Sequence, residues 1–185
     1  MSLTWPDHPI TLAEWEALPE SGDLRLEVAE GMLVVSAKPV FGHQRACLRL
    51  TARLDEALPD DLIVLGDVEV MLEESPLTIR APDVVVMRTD VYEPDRARAE
   101  AAEVLLAVEI LSDGTRRVDR VLKYSEYADA GIRQYWIVDL LGQVTLTAFQ
   151  LVDGEYELTG EWTGSASPQV ASVPVTLDLD RLTAR

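Results

Sequence analysis

Val104-Leu105-Leu106-Ala107-Val108-Glu109-Ile110-Leu111 is apolar at every position but one, Glu109. A half-buried strand alternates apolar and polar residues, whereas an unbroken apolar run belongs to a strand covered on both faces. The stretch therefore predicts a central strand with a layer on either side, and a mixed α/β chain. A second run of the same kind, Asp83-Val84-Val85-Val86-Met87, opens on a carboxylate. A carboxylate within a buried strand is costly unless it is paired, hydrogen-bonded or bound to metal. Taken singly, each acid can be a strand end turned to water. On adjacent strands, about 4.8 Å apart, the two can share one hard cation.

The flanks supply the rest of the layout. Thr11 followed by Glu14 is a capping box for a short helix that Pro19 ends. Leu24–Val28 and Met32–Val35 form a hairpin across Ala29-Glu30-Gly31, with Gly31 at positive φ. Phe41 to Leu58 repeats at helical steps, with Cys47, Leu50, Leu54 and Leu58 as the inner stripe. Leu62–Leu65 and Val68–Leu72 are β runs, and the acidic, Ala/Arg-rich Asp90–Glu103 is a loop with a turn of helix. Ser112-Asp113-Gly114-Thr115 feeds a second helix from about Arg116 to Ala130, stopped by Gly131 at C′. Tyr135–Leu140 is another buried strand, Gln143–Leu151 alternates, and the remainder is a meander of short strands. With no repeat and no Pro/Gly/Ser linker, the 185 residues are expected to form one domain.

Composition narrows the chemistry. Cys47 is the only cysteine, so no disulfide can close within the chain and a Cys-based zinc site is not expected. With only His8 and His43, any metal would be a hard cation on oxygen ligands. No apolar run approaches the ~18 residues of a membrane span, and Met1–Trp15 lacks the pattern of a signal peptide. A reducing, cytoplasmic setting is the expectation. The net charge of −17 opposes long-range attraction of a polyanion.

Mg²⁺ suits two carboxylates because it prefers oxygen ligands and keeps several waters. One of those waters, its pKa lowered, is the natural nucleophile for a phosphoryl group. Lys123 supplies a third element. Asp119, Lys123 and Tyr127 fall at four-residue steps and share a helix face. Asp119 and Lys123 also fit an ordinary surface ion pair; beside metal carboxylates, the lysine would instead orient water and stabilise transition-state charge.

With these residues in place, the chain resembles the Uma2 family, also called DUF820, a restriction-endonuclease-like family of the PD-(D/E)XK nuclease superfamily. The matching stretches, between about Arg25 and Asp139, are Leu26-Glu27-Val28-Ala29-Glu30-Gly31, His43, Ala81-Pro82-Asp83-Val84, Val108-Glu109-Ile110-Leu111-Ser112 and Asp119-Arg120-Val121-Leu122-Lys123. Tyr127-Ala128-Asp129-Ala130-Gly131 and Tyr135-Trp136-Ile137-Val138-Asp139 complete the set. The resemblance implies a restriction-endonuclease-like central mixed sheet flanked by helices, with the hairpin before it and extra strands after it. It implies Asp83, Glu109 and the Ile110 carbonyl as ligands of Mg²⁺ or Mn²⁺, and DNA as substrate. The lysine expected two residues after the glutamate is replaced by Leu111, and Lys123 takes its place. Glu27 would ligate metal, hold Lys123, or stand as a hairpin acid facing water. His43 would touch phosphate or help position the site. Tyr127 and Trp136 are expected in packing, and Asp139 at a strand end.

Two basic stretches, Arg45/Arg49/Arg53 and Arg116/Arg117/Arg120/Lys123/Arg133, could face phosphate or pair with nearby acids such as Asp55 and Glu56. No helix-turn-helix, zinc finger or aromatic-interleaved basic run reads a base sequence here. Two functions are therefore weighed. One is a metal-dependent endonuclease, with a homodimer as a compatible state. The other is a non-catalytic module that retains the nuclease fold.

Overall fold

Burial of Val104–Leu111 on both faces organises the molecule. The computed structural model describes residues 7–19, 24–111 and 121–184. In chain order these form α1 (Leu12–Glu16), β1 (Leu24–Ala29), β2 (Met32–Ala37), α2 (Phe41–Ala57), β3 (Leu62–Gly66), β4 (Glu69–Glu74), β5 (Leu77–Arg80) and β6 (Val84–Arg88). There follow β7 (Arg98–Glu100), β8 (Val104–Leu111), α3 (Lys123–Asp129), β9 (Gln134–Asp139), β10 (Thr145–Val152) and β11 (Glu155–Thr163). Short two-residue strand pairs and a final turn of helix, Asp180–Thr183, close the chain.

A six-stranded sheet runs β11-β10-β9-β8-β6-β3. Within it β8 pairs antiparallel with β6 and parallel with β9, so α3 lies in the crossover between two parallel neighbours. The alternation of β8 explains its composition. Leu106, Val108 and Ile110 pack with Ala46, Leu50 and Leu54 of α2 and with the C-terminal Leu177, Leu179 and Leu182. Ala107 and Leu111 face the other way, onto Tyr127 of α3, Ile132, Tyr135 and Tyr156. Each face is closed by its own layer, which is why no polar alternation appears.

A second sheet runs β2-β1-β5-β4-β7 and covers a smaller core of Ile10, Trp15, Val28, Leu77 and Ile79. The hairpin β1–β2 turns on Glu30 (φ 49) and Gly31 (φ 78), so both turn residues are left-handed. A side chain at Gly31 is doubly opposed, because a Cβ there would stand 2.7 Å from Pro9 Cβ. The Thr11–Glu14 capping box forms as expected, and Gly131 stops α3 at φ 79.

Some expectations need correction. The inner stripe of α2 begins with His43 and continues through Ala46, Leu50 and Leu54, leaving Cys47 half-buried on its flank. Asp90–Glu103 contains a short strand, β7, set between two 3₁₀ turns. Strand β5 is not foreseen in the sequence pattern, because it has only four residues, one of them Arg80. Of the second predicted helix, the described part is Lys123–Asp129; Ser112–Thr115 and Asp119 lie outside the described residues.

Candidate functional site

The register of β6 against β8 sets Val84 opposite Val108, and one further step along that register leads to Asp83 and Glu109. Both carboxylates are buried, Asp83 5% and Glu109 2% exposed. Each has its own set of donors. Asp83 Oδ2 accepts from the Ile110 backbone N–H at 2.7 Å and lies 3.1 Å from His43 Nε2. Asp83 Oδ1 accepts from Arg25 Nη1 at 3.0 Å. His43 Nε2 also stands 2.8 Å from the Ile110 carbonyl. A nitrogen between two acceptors must carry the proton, so Nε2 is the donor. Cys47 Sγ lies 3.7 Å from the other ring nitrogen, Nδ1.

Glu109 is held from α3. Its Oε1 accepts from Lys123 Nζ at 2.9 Å and from the Tyr127 hydroxyl at 2.7 Å. Lys123 and Tyr127 are four residues apart and point to the same side. An edge-on contact of Tyr127 with Tyr135, centroids 5.3 Å apart, helps fix α3 against the sheet. Tyr124, on the neighbouring helix position, packs edge-on against Phe149 and Tyr156 and bonds the Tyr156 carbonyl.

The smaller sheet supplies the remaining charges. Val28 of β1 faces Ile79 of β5, so the next step sets Glu27 beside Arg80. Glu27 Oε2 accepts from Arg80 Nη1 at 3.2 Å. Its Oε1 accepts from the Ala81 N–H at 3.0 Å and lies 3.1 Å from Lys123 Nζ. Arg80, 1% exposed, completes a bidentate pair with Glu126 of α3, both contacts 2.7 Å. A continuous chain of opposite charges thus runs Glu109–Lys123–Glu27–Arg80–Glu126.

Electrostatics follow this pairing. Burial alone would raise the Asp83 carboxyl, but the His43 hydrogen bond, the Arg25 and His43 charges and the Ile110 N–H together hold it below its ordinary value. Burial would likewise raise Glu27, and Lys123, the Ala81 N–H, Arg80 and Arg25 reverse the sign. For His43, burial lowers and Asp83 and the Ile110 carbonyl more than restore, so the imidazole titrates above its ordinary value. Burial pushes the Tyr127 phenol well up, with Glu109 and Glu27 adding to it, so the hydroxyl is a donor and not a base.

A family model described as "Putative restriction endonuclease" matches residues 12–182. The chain belongs to the Uma2 family. A crystal structure described as "a putative nuclease belonging to DUF820 from Anabaena variabilis ATCC 29413" shares this Uma2 fold with a TM-score of 0.72 at 18% identity. The match covers 95% of this chain and 98% of that one. No functionally curated protein matches the chain.

Within this Uma2 chain, Glu27, His43, Asp83, Glu109, Ile110, Lys123 and Tyr127 converge from two sheets and two helices. Glu27 is buried and ion-paired, so the reading of it as a hairpin acid facing water does not hold. Lys123 is 4% exposed and its ammonium bonds two buried carboxylates, which is more than a surface pair. Trp136 is core. Two basic positions on α2 are engaged elsewhere: Arg49 bonds backbone carbonyls of Arg181 and Ala184, and Arg53 pairs with Glu56. Arg116, Arg117 and Arg120 lie outside the described residues.

Sequence reasoning missed Arg25, Arg80 and Glu126. Arg80 is the one charge of its strand, and the argument used for the two acids would have flagged it; Arg25 alternates with Glu27 in β1, a pattern that reads as a polar face turned to water. Among the described residues, donor atoms of His43, Cys47 and Asp83 come within 4.8 Å of one another, and Glu109 is not in that group.

Proposed function

We propose that this chain is a divalent-cation-dependent endonuclease that hydrolyses phosphodiester bonds in DNA by attack of water on phosphorus. One observation carries the reading: two buried carboxylates and a main-chain carbonyl, on adjoining strands, with a lysine bonded to one of the carboxylates. That donor set is all oxygen, which fits Mg²⁺ or Mn²⁺. Asp83, Glu109 and the Ile110 carbonyl would hold the ion. When bound, it supplies a water of lowered pKa and charge neutralisation at a phosphoryl oxygen.

The chain's own residues do the positioning. Lys123, bonded to Glu109 and Glu27, would orient an attacking water and stabilise a phosphoryl oxygen gaining charge. Tyr127 fixes the carboxylate plane of Glu109. His43 orients Asp83 and the Ile110 carbonyl together. Glu27, itself anchored by Arg80 and the Ala81 N–H, sets where the lysine stands. A single functional domain spanning the chain, a cytoplasmic location and a two-fold dimer that meets both strands of a duplex belong to the same proposal.

A second reading, a non-catalytic module that retains the fold, is favoured by the donors already covering these oxygens. Supercoiled plasmid separates the two. Nicking that requires Mg²⁺ or Mn²⁺ and falls roughly a hundredfold in Asp83→Asn and in Glu109→Gln supports the enzyme. Equal cleavage by all three proteins, or none by the wild type, sinks it.

A further inference from the structure

Asp83 has no oxygen left uncovered. Its Oδ2 is held by a fixed backbone donor, the Ile110 N–H, and by His43. Among the described residues its Oδ1 has a single hydrogen-bond donor, Arg25 Nη1. A divalent ion arriving at Asp83 would stand beside a guanidinium that cannot deprotonate. Two like charges a few ångströms apart in a partly buried site repel each other strongly. Arg25 has to move when the ion binds.

The structure offers it somewhere to go. Arg25 Nε is buried and makes no hydrogen bond among the described residues. An orphaned buried donor is a cost that a ligand oxygen would remove. The Arg25 side chain also borders a cavity of about 770 Å³, lined among others by Trp15, Asp67, Glu69, Arg96 and Arg98. Arg96 and Arg98 are each engaged by acids there, Arg96 by Glu103 and Arg98 by Glu16 and Glu69. Lys123 is held by two buried carboxylates, whereas the second carboxylate near Arg25, Asp67 at 3.7 Å, is 81% exposed and holds it loosely. An arginine fork matches two oxygens of a phosphate.

We propose that Arg25 is an exchangeable cation, which neutralises Asp83 while no divalent ion is bound and passes to a non-bridging phosphate oxygen of the substrate when the ion takes Asp83. The proposal rests on the endonuclease reading and deepens it. Its consequence is coupling: ion and phosphodiester each bind more tightly with the other present, and Arg25 carries the linkage.

Calorimetric titration of the full chain with Mn²⁺, alone and with a phosphorothioate-linked duplex that is not cleaved, tests it. The duplex should tighten Mn²⁺ binding by about tenfold in the wild type. Arg25→Gln should bind Mn²⁺ alone about tenfold more tightly than the wild type, with the coupling gone. Arg25→Gln binding Mn²⁺ no better than the wild type, while Asp83→Asn abolishes binding, overturns the exchange and leaves the metal site standing. No Mn²⁺ binding by the wild type, with or without duplex, overturns both. Should Arg25→Gln not fold, Arg25→Lys is decisive: it keeps the charge without the fork, should bind Mn²⁺ as the wild type does and lose most of the coupling, and full coupling overturns the proposal.

Discussion

Lys123 Nζ stands 2.9 Å from Glu109 Oε1, both side chains withdrawn from water. The same ammonium reaches Glu27 at 3.1 Å. Removing it leaves two buried carboxylates that have lost a shared counter-charge, and breaking one side of such a pair costs about 3–5 kcal/mol. Lys123→Met should therefore melt well below the wild type, whereas Lys123→Arg should recover part of the loss. In plasmid nicking both variants should be slow even at temperatures where calorimetry shows them folded. A Lys123→Met protein with unchanged melting would mean that the pair contributes nothing.

Tyr127 contributes one hydroxyl to the same oxygen. Tyr127→Phe keeps the ring and its contact with Tyr135, so packing survives and a buried acceptor loses one donor. The expected cost is about 1–3 kcal/mol, read from urea unfolding with an unchanged m value. Because Glu109 keeps Lys123, nicking should fall less than in Lys123→Met.

Among the described residues Arg80 is the most thoroughly buried cation, and Glu126, its bidentate partner, is 22% exposed. The two sides of this pair should respond unequally. Arg80→Met takes from buried Glu27 one of its two counter-charges and should cost roughly 3–5 kcal/mol. Glu126→Gln leaves an acceptor in place at a position water can reach, and should cost about 1 kcal/mol. Thermal melts of the two single variants decide this; equal losses would contradict it.

Stability should depend on pH from both sides. Asp83 and Glu27 titrate below their ordinary values of 3.8 and 4.5, so their contribution is present above those values and is lost as pH falls through the lowered ones. His43 titrates above its ordinary 6.5, so its contribution is complete below 6.5 and is lost as pH rises through the raised value. The stability of the metal-free protein should peak between these limits. His43→Gln should flatten the alkaline side and leave the acid side; an unchanged alkaline slope would refute the assignment.

Much of this was legible in the chain. The apolar runs around Glu109 and Asp83 identify two strands buried on both faces, and those strands do pair. Local signals such as Thr11 with Glu14 and Gly31 also survive, because they depend on a few neighbouring residues. The failures share a cause. Arg25 meets Asp83 across 58 positions and Arg80 meets Glu27 across 53, and periodicity carries no information at that range. On α2 the expected Leu50, Leu54 and Leu58 are buried and only Cys47 gives way, to Ala46 and His43, because hydropathy does not count a histidine as inward. Lys123 owed more to the family pattern than to spacing, since four-residue charge pairs are common on helix surfaces.

The charged network joins elements of both sheets, which also share the apolar cluster of Val70 and Ala99 with Val85, Met87 and Ala107. Arg25, Glu27 and Arg80 come from the five-stranded sheet, Glu109 from the six-stranded one, and Lys123, Tyr127 and Glu126 from the helix that crosses it. The site is consequently a seam between two sheets, and its ion pairs act as rivets. Protection of amides in β1 and in β8 against hydrogen exchange should then rise and fall together, and a variant that loosens the rivets should let the smaller sheet open first. Chemistry and cooperativity would be set by the same few side chains, leaving little freedom to tune one without the other.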